Sequence, residues 1–357
     1  MTNRSLGRVV GVVLVLALMV LAGPAQAAHK PFGSWLVLQG NDDGNPANPG
    51  HGYVSIPHDP ELNPTGGITI EMWVKIQTPV SCRSLFGKAY TEAYWIGICG
   101  STLRAYLRGS GSSHDGGTIP DNQWTHIAVT SDGVIQRHFI NGNEVASFPA
   151  GGSPTTSTSE VRIGSDSDYP YSPPGAIDEV RLWSIARTEA QLQSGLFAPI
   201  GAPQPGLVAV WPLNGNGNSI ISPHDGTLVG NTSFASTPAP PAGDWISVPS
   251  LPGYRVKVRI TPPGGDPFIA GEVVDCVPET ICIAGALPTR SELFVRVIGP
   301  RPNGYMHAQV IKFTPSRVEV WIEQTDTEVV NYYDLEQVPA DSEALPGFVD
   351  KTAFLPE

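Results

Sequence analysis

The sequence is poor in charged residues. They make up only 15% of the 357 residues, and acids outnumber bases, so the formal net charge is −12. Nucleic-acid binding requires clustered Lys and Arg, and this balance therefore predicts no nucleic-acid partner. The hydrophobic fraction of 41% is nevertheless too high for a disordered chain, because it can supply a packed core.

Long helices are also excluded, because the chain contains 39 glycines and 35 prolines, residues that disfavour helix interiors. Apolar and polar residues instead alternate over residues 68–77, the period of a half-buried strand. Asp132-Gly133 and Asn141-Gly142 separate three further strand patterns, as hairpin turns do. The spacing of such runs predicts an all-β sandwich or jelly roll. One short helix is predicted after Thr188, where Gln191 completes a capping box.

The first 27 residues have the pattern of a secretory signal peptide. Arg4 and Arg8 precede an apolar stretch, and Ala25-Gln26-Ala27 forms a small-x-small cleavage site. We predict cleavage near Ala27-Ala28 and a secreted, extracellular protein. The apolar stretch is shorter than the ~20 residues of a membrane span. No later segment is apolar for long enough either, and we predict no membrane span after cleavage.

The chain divides into four predicted parts. These are the signal peptide 1–27, a jelly-roll domain 28–235, a Pro-rich linker 236–244 and a smaller β-sandwich domain 245–357. The last residues of that domain, 336–357, are acidic and contain proline, and we expect them to lie extended over the surface. Export permits disulfides, and the four cysteines allow three pairings. Because the first two lie far from the last two across the linker, we predict the pairs Cys82–Cys99 and Cys276–Cys282.

Several blocks of the first domain occur in a distinctive order. The blocks are 67–75 (GITIEMWVK), 124–133 (WTHIAVTSDG), 140–142 (ING), 175–183 (GAIDEVRLW), 206–213 (GLVAVWPL) and 225–228 (DGTL). Together they resemble the laminin-G-like, or concanavalin A-like lectin/glucanase, jelly-roll family over about residues 34–235. The resemblance implies a jelly-roll fold but is less specific for activity, because such modules serve many roles.

The resemblance also implies a structural Ca²⁺, which members of this fold often carry. Asn41, Asp42, Asp43 and Asp178 match the family positions and offer the oxygen ligands that Ca²⁺ prefers. Residues 44–51 separate the Asp pair from the strand that follows it directly in the family motif. The alternative is that Asp42 and Asp43 are turn residues and that Asp178 caps backbone amides.

Ligand contacts are predicted at aromatic side chains, on which sugars stack, and at residues of the loop 165–169, which is also a second oxygen-rich candidate for Ca²⁺. Trp73 shares a strand face with Glu71 and Lys75, so we expect it to be accessible. The predicted ligand-binding residues are Trp73, Tyr94, Trp95, Asp166, Asp168, Tyr169 and Tyr171, with Tyr90 and Tyr106 as further candidates. Core or rim packing is the alternative for each aromatic.

No catalytic residue is predicted. The glucanase relatives use Glu-x-Asp-x-Glu, whose alternation puts carboxylates on one strand face, and no Glu-x-Asp occurs in this chain. Ser113-His114-Asp115 has the residue types of a triad, but it is expected to lie in a Gly/Ser-rich loop, and sequence neighbours rarely converge on one site. His126 is expected to pack in the core. The segments Ile56-Pro57-His58-Asp59 and Ser222-Pro223-His224-Asp225 are similar but too short to indicate a repeat.

These observations predict a secreted, non-enzymatic binding or adhesion protein whose partner is a glycan or an extracellular protein. The first alternative is an atypical carbohydrate-active hydrolase on the same fold, which requires a cleft with two carboxyl groups. The second alternative is a structural spacer without a ligand, which requires a uniformly polar surface without exposed aromatic residues.

Overall fold

The computed structural model describes most of the chain between residues 33 and 261 and the strands beyond. The described residues are 33–40, 52–79, 81–90, 92–107, 112–152, 155–196, 200–221, 223–236, 240–243, 245–247 and 253–261, together with eight later strands. In these later strands, side chains are described only for residues 317–323. The predicted signal peptide and Asn41, Asp42 and Asp43 lie outside these residues. In the described part of the chain, no helix is both long and apolar enough to cross a membrane.

The first part of the chain is almost entirely β-structure, as predicted. Its strands are β1 (Ser34–Gln39), β2 (Gly52–Ile56), β3 (Ile68–Ile76), β4 (Cys82–Lys88), β5 (Tyr94–Cys99), β6 (Thr102–Leu107), β7 (Ser113–Thr118), β8 (Thr125–Ser131), β9 (Ile135–Ile140), β10 (Asn143–Pro149), β11 (Val161–Ile163), β12 (Pro174–Trp183), β13 (Leu207–Trp211), β14 (Thr227–Gly230) and β15 (Thr232–Ser236). They form two antiparallel sheets. The eight-stranded sheet has the order β10-β9-β8-β3-β12-β1-β15 with β13 on β12, and the seven-stranded sheet has the order β14-β2-β11-β4-β5-β6-β7.

The core lies between these two sheets. One hydrophobic cluster contains Ile70 and Val74 of β3 together with Phe86 of β4 and Ile96 of β5, all at most 1% exposed. Strand alternation explains this arrangement, because every second residue of each strand points to the same face. The predicted all-β jelly-roll sandwich is thereby confirmed.

The outer face of the eight-stranded sheet is covered rather than open. Helix α1 (Glu189–Gly195) begins at Thr188, and Gln191 completes the predicted capping box. Leu192 of this helix is fully buried and packs with Ala128 and Phe139 of the sheet. The helix and its flanking segments lie over the part of this face formed by β3, β8 and β12, which are buried on both sides along most of their length.

Cys82 and Cys99 form the predicted disulfide. They are register partners on β4 and β5, so the bond ties neighbouring strands. Cys276 and Cys282 lie on two paired strands whose side chains are outside those described, and their pairing stays a prediction.

The later strands form two further antiparallel sheets. They are β16 (Ile246–Ser247), β17 (Tyr254–Thr261), β18 (Phe268–Ile269), β19 (Val273–Val277), β20 (Thr280–Ala284), β21 (Ser291–Ile298), β22 (Met306–Lys312), β23 (Arg317–Gln324), β24 (Val329–Leu335) and β25 (Gly347–Phe354). One sheet has the order β16-β17-β23-β24 with β18 on β17, and the other has β19-β20-β21-β22-β25. The predicted domain boundaries at 235 and 245 stay predictions.

Two strands differ from the sequence prediction. Residues 113–115 were expected to lie in a Gly/Ser-rich loop, but they belong to β7, an edge strand paired with β6. Residues 336–357 were expected to be extended over the surface, but Gly347–Phe354 pairs with β22 inside a sheet. Backbone hydrogen bonds to a neighbouring strand hold both segments, and side-chain patterns do not reveal such bonds.

Candidate functional site

A cluster of aromatic residues lies on the seven-stranded sheet, on the side facing away from the core. On β5, Tyr94 and Ile96 point into the core, so the intervening Trp95 points outward. The indole lies flat over the backbone of Gly97, since a Cβ there would come within 2.2 Å of Trp95 Cζ2. Glycine is therefore required at this position.

Four tyrosines surround Trp95, and we call the five residues Tyr90, Trp95, Tyr106, Tyr169 and Tyr171 the aromatic face. The Tyr90 and Tyr169 rings meet the indole edge-on, with centroids 5.0 and 5.9 Å away. Tyr106 lies 5.1 Å from Tyr90, and Tyr171 lies 4.7 Å from Tyr169. Trp95 is only 2% exposed, whereas all four tyrosines are half-buried. Trp95 therefore forms the buried base of the aromatic face, which we call its floor, and the four tyrosines are the members that solvent can partly reach.

Asp166 holds the loop that brings Tyr169 to this face. Its Oδ1 accepts backbone hydrogen bonds from Tyr90, Asp168 and Tyr169, at 3.2, 2.8 and 3.0 Å. Burial raises the pKa of this carboxyl, although the three backbone donors act in the opposite direction. Asp166 is fully buried and Asp168 is exposed, so of these two predicted ligand residues only Asp168 can reach a ligand directly.

A charged pair lies beside the rings. Nε and Nη2 of Arg104 donate to the two carboxylate oxygens of Asp115 at 2.5 and 2.6 Å, and both side chains are partly exposed. The hydrogen bond from Arg104 lowers the pKa of Asp115. The hydroxyls of Tyr90 and Ser113 share a hydrogen bond of 2.8 Å, which connects β7 to the aromatic face.

Arg104 and Asp115 are not among the residues that we predicted for a site. Alternation along β6 could have indicated Arg104, because it points to the same side as Tyr106. Asp115 was not predicted as a site residue because the segment that forms β7 was interpreted as a loop. Ser113, His114 and Asp115 do not form a triad, since His114 stacks on Phe148 at 4.5 Å and its neighbours bind Tyr90 and Arg104.

Three predicted ligand-binding aromatics are buried. Trp73 is 2% exposed, and its Nε1 donates to the carbonyl of Leu196, in the segment that covers the eight-stranded sheet. Tyr94 lies in the core, where its ring stacks on Phe86 and its hydroxyl donates to the carbonyl of Leu62. Trp95 is covered by the tyrosines around it. The expectation that Trp73 is accessible is therefore wrong, because a covering segment closes that face.

The carboxylates of the eight-stranded sheet belong to a buried network. Glu71 accepts from Nε1 of Trp183 at 2.8 Å and pairs with His126 and Arg187, while Glu179 pairs with Arg181 at 2.9 Å. His126 is 1% exposed, in agreement with its expected core position. Asp178, the described member of the predicted Ca²⁺ site, is also fully buried.

One cleft of about 550 Å³ lies elsewhere on the domain. Its lining residues are His58, Pro60, Asn63, Glu92, Thr156, Ser157 and Thr158. Glu92 contributes the only carboxylate of this lining, and Ser157 Oγ donates to it at 2.8 Å.

Comparisons with known proteins bear on the first part of the chain. Residues 48–193 match the family model described as "Concanavalin A-like lectin/glucanases superfamily". The chain is 34% identical to mouse pappalysin-1 over 87 residues, which are 22% of this chain and 5% of that protein. The matched segment thus spans a small part of this curated relative's length.

Two solved structures are similar over larger shares of the chain. A Bacteroides ovatus protein has a TM-score of 0.48 and 18% identity over 60% of this chain and 62% of its own. A heptameric pentraxin from Limulus polyphemus has a TM-score of 0.43 and 13% identity over 57% of this chain and 95% of its own. These scores are too low to carry an argument about function.

The resemblance expected from the sequence blocks is therefore confirmed. The matched residues include β3, β8 and β12, which carry three of the six blocks, and all five residues of the aromatic face lie between β4 and β12 of the same sandwich. The similarity to the family described as "Concanavalin A-like lectin/glucanases superfamily" thus extends over residues 48–193 of this chain.

Proposed function

We propose that the protein is a non-enzymatic glycan-binding protein and that the aromatic face contacts the glycan. The observation that carries this proposal is the cluster of four half-buried tyrosines at Trp95, in which two tyrosine rings contact the indole and the other two contact those rings. Aromatic rings bury apolar area with little loss of side-chain freedom, and a tyrosine also offers a hydroxyl. The apolar faces and hydroxyl edges of a sugar match this combination.

The charged pair beside the rings supports the same ligand class. Arg104 has five N–H donors, of which Asp115 takes two, and the Asp115 oxygens retain acceptor capacity. Recognition sites commonly combine apolar area with a few placed polar groups that set ligand orientation. The superfamily description, which names lectins and glucanases, favours a carbohydrate over a protein partner.

A binding role is favoured over hydrolysis by the positions of the carboxylates. Glycoside cleavage requires two carboxyl groups about 5–10 Å apart on either side of the scissile bond. The 550 Å³ cleft is lined by one carboxylate, and Glu71, Asp178 and Glu179 are at most 3% exposed. The atypical hydrolase remains the alternative, to be decided by assay.

Secretion and calcium belong to this proposal as predictions. The Cys82–Cys99 disulfide suits an oxidising compartment such as the extracellular space, to which the leader pattern points. Ca²⁺ binding by Asn41, Asp42, Asp43 and Asp178 is best tested by adding and chelating Ca²⁺ in the binding experiment below.

The proposal is tested by screening the full chain on a glycan array and repeating the hits with Tyr106→Ala and Tyr169→Ala. We expect each variant to weaken binding about tenfold, since removing a central aromatic contact typically costs more than 1 kcal/mol. Tyr53→Ala is the matched control, because Tyr53 is also half-buried and lies on β2, three strands from β5 in the same sheet.

Three results would count against the proposal. Equal losses in Tyr53→Ala would remove the aromatic face from the explanation. Capture of an extracellular protein without any glycan binding would change the ligand class. Release of reducing sugar from a bound oligosaccharide would instead support the hydrolase.

A further inference from the structure

The two Pro-His-Asp segments, which are too short to form a sequence repeat, meet in space. Strand β2 pairs antiparallel with β14, with Thr227 opposite Ser55. Residues that precede Thr227 therefore lie alongside residues that follow Ser55. This register brings His224 of the second segment next to Asp59 of the first segment and to Glu61.

The three side chains converge on one point. His224 Nε2 lies 3.7 Å from Asp59 Oδ1 and 3.6 Å from Glu61 Oε2. Each of the three residues has one potential metal-ligand atom within 4.8 Å of those of the other two. His224 is 1% exposed, and neither of its ring nitrogens has a hydrogen-bond partner among the described residues. A buried imidazole without a hydrogen-bond partner is uncommon in folded proteins and calls for a physical explanation, which its two neighbouring carboxylates supply.

These distances are too long for direct hydrogen bonds, which require about 2.7–3.2 Å. They suit a shared metal ion instead. Ligand atoms 2.0–2.2 Å from a tetrahedral Zn²⁺ are separated by about 3.3–3.6 Å. From this geometry we propose that Asp59, Glu61 and His224 bind a divalent transition ion of the Zn²⁺ class. The site lies beyond the proposed glycan-binding function and does not depend on it.

The ligand types decide the class of ion. An imidazole nitrogen suits Zn²⁺ and related transition ions, whereas Ca²⁺ takes oxygen ligands. Three protein ligands leave a fourth position for water or another group. Glu61 is 70% exposed in its side chain, so that position is accessible from solvent.

The backbone holds two of the ligands in place. Asp59 precedes a 3₁₀ turn (Pro60–Leu62), and its Oδ1 accepts from the backbone N–H of Glu61 at 2.8 Å. Nε1 of Trp211, in the core, donates to the carbonyl of His224 at 2.7 Å. Lys88, whose Nζ lies 3.1 Å from His58 Nδ1, offsets part of the negative charge of the carboxylates.

The experiment titrates the full chain with ZnCl₂ by calorimetry and measures melting temperature with and without Zn²⁺. We expect one Zn²⁺ equivalent that is lost, or weakened at least about tenfold, in Glu61→Gln and His224→Gln. We also expect Zn²⁺ to raise the melting temperature of the wild type but not of these variants. Glu61→Gln is the decisive variant, because an exposed side chain can be changed without harm to folding.

His114→Gln is the matched control, because it makes the same exchange at a half-buried histidine outside the cluster and should leave the Zn²⁺ equivalent intact. Unchanged Zn²⁺ affinity in Glu61→Gln would overturn the proposal, as would an unchanged wild-type melting temperature. Displacement of Zn²⁺ by an equal concentration of Ca²⁺ would also overturn it, because the site would then not be of the transition-metal class.

Discussion

At the scale of single residues, burial decides how several ionisable side chains behave. Burial works to raise the pKa of Glu71, but the hydrogen bond from His126 and the charges of Arg181 and Arg187 outweigh it, and the pKa falls to about 2. Glu71 is thus an ionised structural group, whose stabilisation is lost as the pH falls from 4.5 towards 2.

His138 illustrates the opposite case, a buried group held neutral. Burial lowers its pKa to about 4, with opposing effects from Gly116 and Asp115 and a further lowering by His114. The Gln136 amide lies 2.9 Å from Nε2 and the Gly116 carbonyl lies 3.4 Å from Nδ1, an arrangement that suits a neutral imidazole.

We therefore expect the free energy of unfolding to decrease as the pH falls from 6.5 to 4. In this range His138 of the unfolded chain binds a proton, whereas the buried His138 of the folded protein does not. The shift corresponds to about 3 kcal/mol when complete. Denaturant unfolding of wild type and His138→Gln at pH 7, 5.5 and 4 measures this contribution by difference, because His126 titrates in both proteins. Parallel stability curves for the two proteins would refute the assignment.

At the scale of elements, α1 changes the role of a whole sheet face. A half-exposed strand usually alternates between core and solvent, but β3 is buried on both sides except at Lys75. The covering helix begins at a capping box and contacts the sheet through Leu192. A helix of seven residues is not stable alone, so this packing holds it in place.

Leu192→Ala should accordingly destabilise the domain by about 2–4 kcal/mol, since it removes a fully buried side chain and leaves a cavity. Leu228→Ala, the same exchange at a side chain that is 39% exposed, should cost less than about 1 kcal/mol. Chemical denaturation monitored by tryptophan fluorescence compares the two variants. Equal losses would show that the helix does not stabilise the sheet it covers.

At the scale of the whole molecule, a Pro-rich segment connects two sets of sheets that share no strand. Part of this segment is fixed to the second set. Lys257 of β17 donates to the carbonyls of Pro241 and Gly243, at 2.9 and 2.7 Å, and its ammonium lies 4.9 Å from the centre of the Trp245 ring. The linker is therefore anchored at its second end.

Elastase, which cleaves after small residues, should cut the chain after exposed Ala242. Because local opening limits such cleavage, Lys257→Met should be cut several-fold faster than wild type. Lys75→Met provides the control for the loss of a lysine elsewhere. Gel electrophoresis and mass spectrometry follow the fragments, and equal cleavage rates for Lys257→Met and wild type would contradict the anchoring role.

Much of the architecture was predictable because strand alternation is a local property. The alternation over residues 68–77 predicted β3, which ends one residue earlier, at Ile76. The aromatic candidates Tyr90, Tyr106, Tyr169 and Tyr171 were identified as residues, but their convergence was not predictable. It depends on a loop that Asp166 brings across the sheet.

The sequence by itself predicted the all-β class, the superfamily blocks, the capped helix and the Cys82–Cys99 pair, because the first three are encoded over short stretches and the two cysteines lie close together in the chain. Only the tertiary structure decided that Trp73 is covered, that four tyrosines surround Trp95, and that His224 meets Asp59. Alternation assigns a residue to a side of its strand. Which other segment lies on that side is set by pairing register and long-range packing between residues far apart in the chain.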